Sequence, residues 1–197
     1  MKTDNLYEQT THKGYYINIY YDKNTKFPLR GGTMGTIYTT RRLCRTEKDF
    51  GAYFNMALVF ECNSGNFSAE FLDEYVALPI YLYDHGEKTV SAVPFSGPGD
   101  GSLFGIIAVG VDDVRKEYGW TRISKKRRRR IEERLSREVK MYDDYLKGHV
   151  YRYEINHKDN PLETVHRGGG FFGDNGLKHL KDECLSVINS LLLKKSL

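Results

Sequence analysis

The sequence predicts a single α+β domain in which a mostly antiparallel sheet is covered by a long basic amphipathic helix and a C-terminal helix. Three observations support this class. Short strand-like segments separated by turn residues fill the first part of the chain, helical periodicity begins at Val111, and one more strand-like segment separates two longer helices. The 197 residues suit one domain spanning 1–197, and the polar composition of residues 1–13 allows that segment to be disordered.

The first predicted strand is the alternating segment of residues 15–21, which places Tyr15, Ile17, Ile19 and Tyr21 on one face. Apolar runs bounded by glycine, asparagine or proline predict the other early strands. These lie at residues 34–40, 55–62, 76–85, 88–95 and 103–110. A short helical turn is predicted within residues 67–75, and Gly86 is expected to form the turn between two of the strands.

Helical periodicity predicts a short helix over residues 111–119 and a long helix that begins at Ser124 and ends before Gly148. The apolar stripe of the long helix consists of Ile131, Leu135, Val139, Tyr142 and Leu146. A strand at residues 149–155, a loop through Asn160 and Pro161 that leads to residues 163–176, and a final amphipathic helix complete the chain.

Composition excludes several classes of protein. Hydrophobic residues make up 40% and charged residues 28%, which is typical of a globular chain, and no apolar run approaches the length of a membrane span. The N-terminal residues lack the apolar segment of a secretory signal, and Cys44, Cys62 and Cys184 match neither a metal-binding nor a disulfide spacing. We therefore expect a cytoplasmic protein with no membrane association, no metal site and no cofactor.

The segment Gly168 to Gly173 matches the letters of the dinucleotide-binding fingerprint and precedes a helix. That fingerprint also requires a second strand after the helix, and here the sequence ends with the helix. Closely spaced glycines are instead expected to let the backbone turn and pack tightly.

The chain contains fifteen tyrosines, many of them in predicted strands. Tyrosines on strands usually pack their rings against cross-strand neighbours. The alternative is an aromatic surface that contacts bases or a partner protein.

Asp84, His85 and Glu87 lie together at the end of a predicted strand. A carboxylate and an imidazole in this arrangement could perform acid–base chemistry or hold a divalent metal. A polar turn that closes a hairpin is the simpler interpretation, so the sequence favours a non-enzymatic function and leaves a metal-dependent nuclease or hydrolase as the alternative.

A run of positive charges at the start of the long helix is the strongest anomaly in the sequence. The cations of the run and of the turns after it are Lys125, Lys126, Arg127, Arg128, Arg129, Arg130, Arg134 and Arg137. Cations in the first turn oppose the helix dipole, and arginine binds phosphate through two parallel hydrogen bonds. A solvated surface is one interpretation, and contact with nucleic-acid phosphate or with an acidic surface of a nucleoprotein complex is the other.

Several segments resemble a family of small uncharacterised accessory proteins of bacteriophages and mobile elements. The most specific segments are Leu-Pro-x-Tyr-Leu-Tyr-Asp-His at residues 78–85 and Tyr-Asp-x-Tyr-Leu-x-Gly at residues 142–148, and the resemblance runs from about Arg30 to about Gly173. It implies a phage accessory protein that acts in the cytoplasm of the host bacterium, and it identifies no catalytic residues.

This chain departs from the family at two places. Family members carry Cys and Trp where this chain has Gly97 and Gly99, and a Cys-Trp pair where it has Gly168 to Gly170. We hypothesise that these two segments meet in the fold and form one altered site.

The resemblance and the basic run together suggest a non-enzymatic anti-defence protein. It would bind nucleic acid or a host nucleoprotein complex, for example a CRISPR–Cas ribonucleoprotein, and exposed tyrosines would add contact area. Binding of another phage protein, as a replication or virion accessory, is a further alternative. From the sequence, replacing Arg127 to Arg130 with glutamate is expected to abolish binding without unfolding the chain.

Overall fold

A computed structural model describes residues 5–26, 32–61, 66–96 and 101–195. Helices and strands each account for 37% of the described residues, and the predicted α+β class with antiparallel pairing and a C-terminal helix is confirmed. The described strands form two sheets where the sequence predicted one. The chain divides into two compact units, which we call the terminal unit (Met1–Lys26 and Asp144–Leu197) and the central unit (Phe27–Asp143).

The elements follow the chain in this order. The strands are β1 (Leu6–His12), β2 (Tyr15–Tyr21), β3 (Thr36–Thr39), β4 (Lys48–Asp49), β5 (Tyr75–His85), β6 (Glu87–Ser91), β7 (Ser102–Gly110), β8 (Val150–His157) and β9 (Asn160–Phe172). The helices are α1 (Phe50–Tyr53), α2 (Met56–Val59), α3 (Ala69–Glu74), α4 (Val111–Tyr118), α5 (Lys125–Leu146) and α6 (Gly173–Lys195).

The terminal unit is a four-stranded antiparallel sheet, in the order β1-β2-β8-β9, with α6 against one face. Alternate residues of β2 and β8 point to that face and meet one stripe of α6. This core consists of Tyr15, Ile17, Ile19, Tyr151, Tyr153, Ile155, Leu180, Cys184 and Ile188. The predicted face of residues 15–21 is thereby confirmed, with Tyr21 partly buried against the same core.

A chain of polar side chains crosses the same sheet from strand to strand. Gln9 donates to Asn18 at 2.6 Å, Asn18 donates to Asn156 at 3.0 Å, and Asn156 donates to Thr164 at 3.3 Å. Asn18 and Asn156 are buried, so these bonds satisfy amide groups that would otherwise be costly to bury.

The central unit contains a five-stranded sheet in the order β4-β3-β7-β5-β6, antiparallel except for the β3–β4 pair. Apolar side chains from one part of this sheet and from the short helices α1 to α3 pack together. They are Phe50, Val59, Phe60, Phe71, Ala77, Ile106 and Ala108. The strand predictions that correspond to β3, β5, β6 and β7 are confirmed, as is the turn at Gly86, whose φ is 98°.

The apolar stripe of α5 is buried as the sequence predicted. Ile131, Leu135, Val139 and Tyr142 are each 1% exposed or less, and Leu146 is half-buried. Burying side chains of this size stabilises a fold by about 1.5–3 kcal/mol each, so the stripe holds α5 firmly against its neighbours.

The strand predicted at residues 55–62 is wrong, because the structure has the single helical turn of α2 at this place. The side chain of Asn55 accepts a hydrogen bond from the backbone NH of Ala57 at 3.0 Å and caps that turn. A short apolar run is compatible with either state, and periodicity alone cannot separate them.

The loop predicted through Asn160 and Pro161 is wrong as well, since β9 begins at Asn160, extends through Phe172 and pairs with β8. Gly168 lies against the ring of Tyr153, where an added Cβ would be 2.6 Å from a ring carbon. Glycine at this position therefore lets β9 pack closely against the ring of Tyr153.

The segment 1–13, whose composition allowed disorder, contains the ordered strand β1 over Leu6–His12. Tyr7 of this strand packs edge-on against Tyr21 and Tyr151, with ring centroids 5.3 and 5.0 Å away. These aromatic contacts and the pairing with β2 hold a segment whose composition carries little helical or strand signal.

Among the helices of the described residues, none is both long enough and apolar enough to cross a membrane.

Candidate nucleic-acid interface

Helix α5 begins where the sequence predicted. The backbone NH of Arg128 donates to the carbonyl of Ser124 at 2.8 Å, and the Ser124 hydroxyl accepts from the NH of Arg127 at 3.4 Å. The first turn therefore contains cations only, and the direction in which each side chain leaves the helix determines what the run can bind.

Arg128 points into the central unit. Its guanidinium donates to the carbonyl of Tyr75 at 2.9 Å and to the carbonyl of Leu72 at 2.5 Å, at the C-terminal end of α3. Carbonyls at the end of a helix have no partner within the helix, so a cation that donates to them stabilises the fold. Arg128 was predicted to bind nucleic acid, and in the structure its guanidinium makes this contact within the protein.

Arg127 also forms contacts within the protein. It donates to the carbonyl of Arg122 at 2.8 Å and lies over the ring of Trp120, 4.8 Å from its centroid. Trp120 stacks on Tyr118 with centroids 4.5 Å apart, and Arg130 lies 5.5 Å from the Tyr118 ring. We call these four side chains the cation–aromatic cluster.

Arg134 is the third predicted binding residue with internal partners. It donates to Glu117 at 2.8 Å, to the Tyr118 hydroxyl at 3.1 Å and to Glu138 at 3.4 Å. Glu138 is 5% exposed and also accepts from two consecutive backbone NH groups at 2.8 Å each. Arg134 therefore belongs to a network that anchors α5.

The remaining five predicted cations are exposed on α5, and we call them the basic face: Lys125, Lys126, Arg129, Arg130 and Arg137. Successive helical residues are 100° apart, so Lys126, Arg129, Arg130 and Arg137 share the side of the helix opposite the apolar stripe, and Lys125 lies on the flank between that side and the stripe. The basic face covers about 18 Å of helix at 1.5 Å per residue.

Few acidic groups neutralise the basic face. Glu133 is on the same side of α5 and forms an ion pair with Arg129 at 3.4 Å, while the buried Glu138 points toward the protein interior. Among the described residues, Lys125, Lys126 and Arg137 have no side-chain hydrogen bond or ion pair with another group. Lys125, Lys126 and Arg137 are therefore available to an external anion.

Asp84, His85 and Glu87 lie at an exposed hairpin turn between β5 and β6. Asp84 forms an ion pair with Arg41 at 2.8 Å, and the ring of His85 lies 5.0 Å from that of Tyr83. Within the described ranges no three His, Cys, Asp or Glu side chains are grouped so that they could hold a metal ion. The geometry is that of the polar turn that the sequence offered as the simpler interpretation.

Two segments were predicted to form one altered site. Gly97 and Gly99 lie outside the described residues, so that prediction remains a hypothesis. Gly168 and Gly169 lie in β9, and Gly170 has a φ of 80°, which favours glycine.

The tyrosines of the described strands are used mainly for packing. Tyr15, Tyr151 and Tyr153 are buried in the terminal unit. On the other face of β2, the guanidinium carbon of Arg152 lies 4.3 Å from the centroid of the Tyr20 ring. The Nζ of Lys158 lies 5.8 Å from the centroid of the Tyr16 ring.

Sequence reasoning missed the aromatic half of the cation–aromatic cluster. A signal existed, since the single tryptophan, Trp120, comes shortly before the basic run. The stack with Tyr118 depends on Gly119, whose φ of 64° turns the chain at the end of α4.

The chain matches none of the protein-family profiles, curated proteins or solved structures with which it was compared.

Proposed function

We propose that this protein binds nucleic acid through the basic face of α5, either directly or within a host nucleoprotein complex, and catalyses no reaction on it. The observation that carries the proposal is a set of five exposed cations on α5, four of which share the side of the helix opposite its buried stripe. A helix anchored in this way presents its cations from a rigid support, which lowers the entropic cost of binding.

The electrostatics of the helix support an anionic partner. Positive charges in the first turn oppose the helix dipole and cost a few tenths of a kcal/mol each when exposed. Arg128 offsets that cost through its contacts with the carbonyls of α3, whereas Lys125 and Lys126 have no such contact among the described residues. A bound phosphate would offset it for these two, and release of counterions from nucleic acid would add to the affinity.

The cation–aromatic cluster suggests a preference for single strands. Bases stack on aromatic rings and on arginine planes, and single-stranded nucleic acid exposes base faces that a duplex hides. Trp120 and Tyr118 are partly exposed and lie beside the N-terminal end of the basic face. We therefore propose single-stranded nucleic acid, RNA first, as the preferred ligand.

The biological role follows from the resemblance to bacteriophage accessory proteins. We propose an anti-defence inhibitor that acts in the cytoplasm of the host bacterium. Its target would be a nucleoprotein defence complex, for example a CRISPR–Cas ribonucleoprotein, or the nucleic acid that such a complex requires.

The experiment compares two variants of equal charge change. The first replaces four cations of the basic face, Lys126, Arg129, Arg130 and Arg137, with glutamate. The control replaces four exposed cations of the terminal unit, Lys158, Arg167, Lys178 and Lys194, with glutamate. Replacing Arg127 to Arg130, as the sequence alone suggested, would confuse the two effects because Arg127 and Arg128 hold the fold.

Fluorescence anisotropy with labelled single-stranded RNA, single-stranded DNA and duplex DNA measures Kd at several salt concentrations. We expect the basic-face variant to weaken binding about 100-fold or more and to reduce the slope of log K against log salt by about 3, because four phosphate contacts are lost. The control is expected to change Kd much less. If the two variants weaken binding equally, non-specific charge and not the basic face is responsible, and the proposal fails.

The same samples test the enzymatic alternative. The proposal expects labelled RNA and DNA to stay intact when Mg²⁺ or Mn²⁺ is added. Metal-stimulated cleavage that disappears in Asp84→Ala would favour a nuclease centred on the β5–β6 turn.

A further inference from the structure

A second cationic feature lies in the central unit, at a pocket of about 390 Å³ beside β3 and β4. Its lining includes Arg42, Arg45 and Lys48, together with Thr36, Thr46 and Glu47. Three of these side chains are cationic and exposed, and one is acidic and buried. The pocket is therefore positively charged on the side that faces solvent.

The carboxylate of Glu47 is directed away from solvent, into the protein. Glu47 is 1% exposed and accepts hydrogen bonds from the backbone NH of Leu43 at 2.6 Å, from the Thr39 hydroxyl at 3.2 Å and from the Tyr142 hydroxyl. Burial raises the pKa of Glu47, which disfavours its negative charge. The acid is thus a poor counterion for the three cations of the pocket.

These three cations form few contacts within the protein. Within the described residues, Arg42 and Arg45 form no side-chain hydrogen bond or ion pair, and Lys48 has a ring contact with Tyr53 at 6.0 Å. The neighbouring Arg41 differs, since it pairs with Asp84 at 2.8 Å. Unpaired like charges that share a concave site repel one another, so their convergence is explained best by an anion that binds between them.

The size and chemistry of the pocket narrow the class of anion. Arginine forks donate in pairs to tetrahedral oxyanions, and the hydroxyls of Thr36 and Thr46 add groups that can donate to further oxygens. A volume of about 390 Å³ lies at the lower end of small-molecule sites, which exceeds the needs of a bare ion and suits a mononucleotide. We infer that Arg42, Arg45 and Lys48 form a binding pocket for a phosphate monoester of nucleotide size.

Two sources could supply this chemistry: a free nucleotide and the phosphorylated end of a nucleic acid. The pocket adjoins α5, because Gly35 in its lining donates to Glu138 and Glu47 accepts from Tyr142. The inference does not depend on the basic face, since none of the five cations of that face lines the pocket.

Isothermal titration calorimetry tests the pocket with adenosine 5′-monophosphate, inorganic phosphate and uncharged adenosine. We expect the monophosphate to bind, adenosine not to bind, and Arg42→Gln and Arg45→Gln each to weaken the monophosphate about tenfold, the loss of one charge-assisted contact. Arg41→Gln is the matched control and is expected to leave that affinity unchanged, as is the fourfold glutamate variant of the basic face. Circular dichroism checks that each variant is folded.

Oligonucleotides separate the two sources. Tighter binding of a 5′-phosphorylated strand than of its 5′-hydroxyl counterpart, lost in Arg45→Gln, would support the pocket and identify the nucleic-acid end as the source. Equal binding of the two strands, together with binding of the monophosphate, would support the pocket and identify a free nucleotide. Absence of binding by both the monophosphate and the phosphorylated end, or binding that Arg42→Gln and Arg45→Gln leave unchanged, would overturn the inference whatever the basic face does.

Discussion

Arg128 and Arg129 are adjacent in the sequence and are expected to respond oppositely to the same substitution. Arg128 donates to two backbone carbonyls at the end of α3, whereas the side chain of Arg129 is 82% exposed and pairs with Glu133 at 3.4 Å. Glutamine at either position removes one positive charge and keeps a polar side chain. The pair therefore separates the structural use of the basic run from its use in binding.

The expected loss of stability follows from the contacts of Arg128. A hydrogen bond to a charged group contributes about 1.5–3 kcal/mol when well shielded. Because Arg128 is only half-buried, we expect Arg128→Gln to lower the free energy of unfolding by about 2 kcal/mol for the two bonds together. In a chain of this length that corresponds to a fall in Tm of about 4–8 °C. Arg129→Gln is expected to change stability by less than about 0.5 kcal/mol, since exposed ion pairs contribute little.

Chemical denaturation followed by circular dichroism measures the stability, and anisotropy with single-stranded RNA at a temperature where both variants are folded measures the affinity. We expect Arg129→Gln to weaken binding several-fold and Arg128→Gln to leave it nearly unchanged. Equal stability of the two variants would refute the inward assignment of Arg128. A larger loss of affinity in Arg128→Gln than in Arg129→Gln would refute the division of the run into structural and binding residues.

Two further predictions concern the terminal unit. Gly168→Ala is expected to destabilise the protein by about 1–3 kcal/mol, because the added Cβ would lie 2.6 Å from a Tyr153 ring carbon. Gly169→Ala is the control, since its Cβ would lie 3.3 Å from its nearest neighbour. Similar denaturation midpoints for the two variants would contradict the close packing at Gly168. Burial, with smaller effects of nearby Tyr21 and Tyr7, raises the pKa of Tyr151 to about 12. The contribution of the neutral phenol to stability is therefore fully present below about pH 10, the ordinary pKa of tyrosine, and is lost as the pH rises through about 12. Denaturation at a series of pH values should show this loss in the native protein, and Tyr151→Phe should remove that part of it; an unchanged pH profile in the variant would contradict the prediction.

Much of the fold could be predicted from local sequence. Strands β2, β5 and β7 have runs of β-branched or aromatic residues long enough to show their period, and α5 carries its apolar stripe over four turns. The turn at Gly86 and the end of the short helix at residue 119 could be predicted because glycine adopts the positive φ that each requires without strain. These features depend on neighbours within a few positions.

Elements that depend on distant partners were not predictable. The run that forms α2 is too short for its period to distinguish a helix from a strand, and β9 is a strand because β8 pairs with it in spite of its three glycines. The division of the strands between two sheets also depends on pairings such as Ile17 with Ile155, which no local pattern encodes.

For the candidate site, the sequence by itself determined that a cluster of cations begins a long helix and that one side of that helix is buried. Only the tertiary structure decided which cations remain for a partner. Arg128 points inward because carbonyls more than fifty residues earlier in the chain lie within its reach, and the cations at Arg42 and Arg45 stay uncompensated because Glu47 points into the protein. A side chain's charge is a property of its type, whereas its availability depends on which polar groups the fold brings within hydrogen-bonding distance.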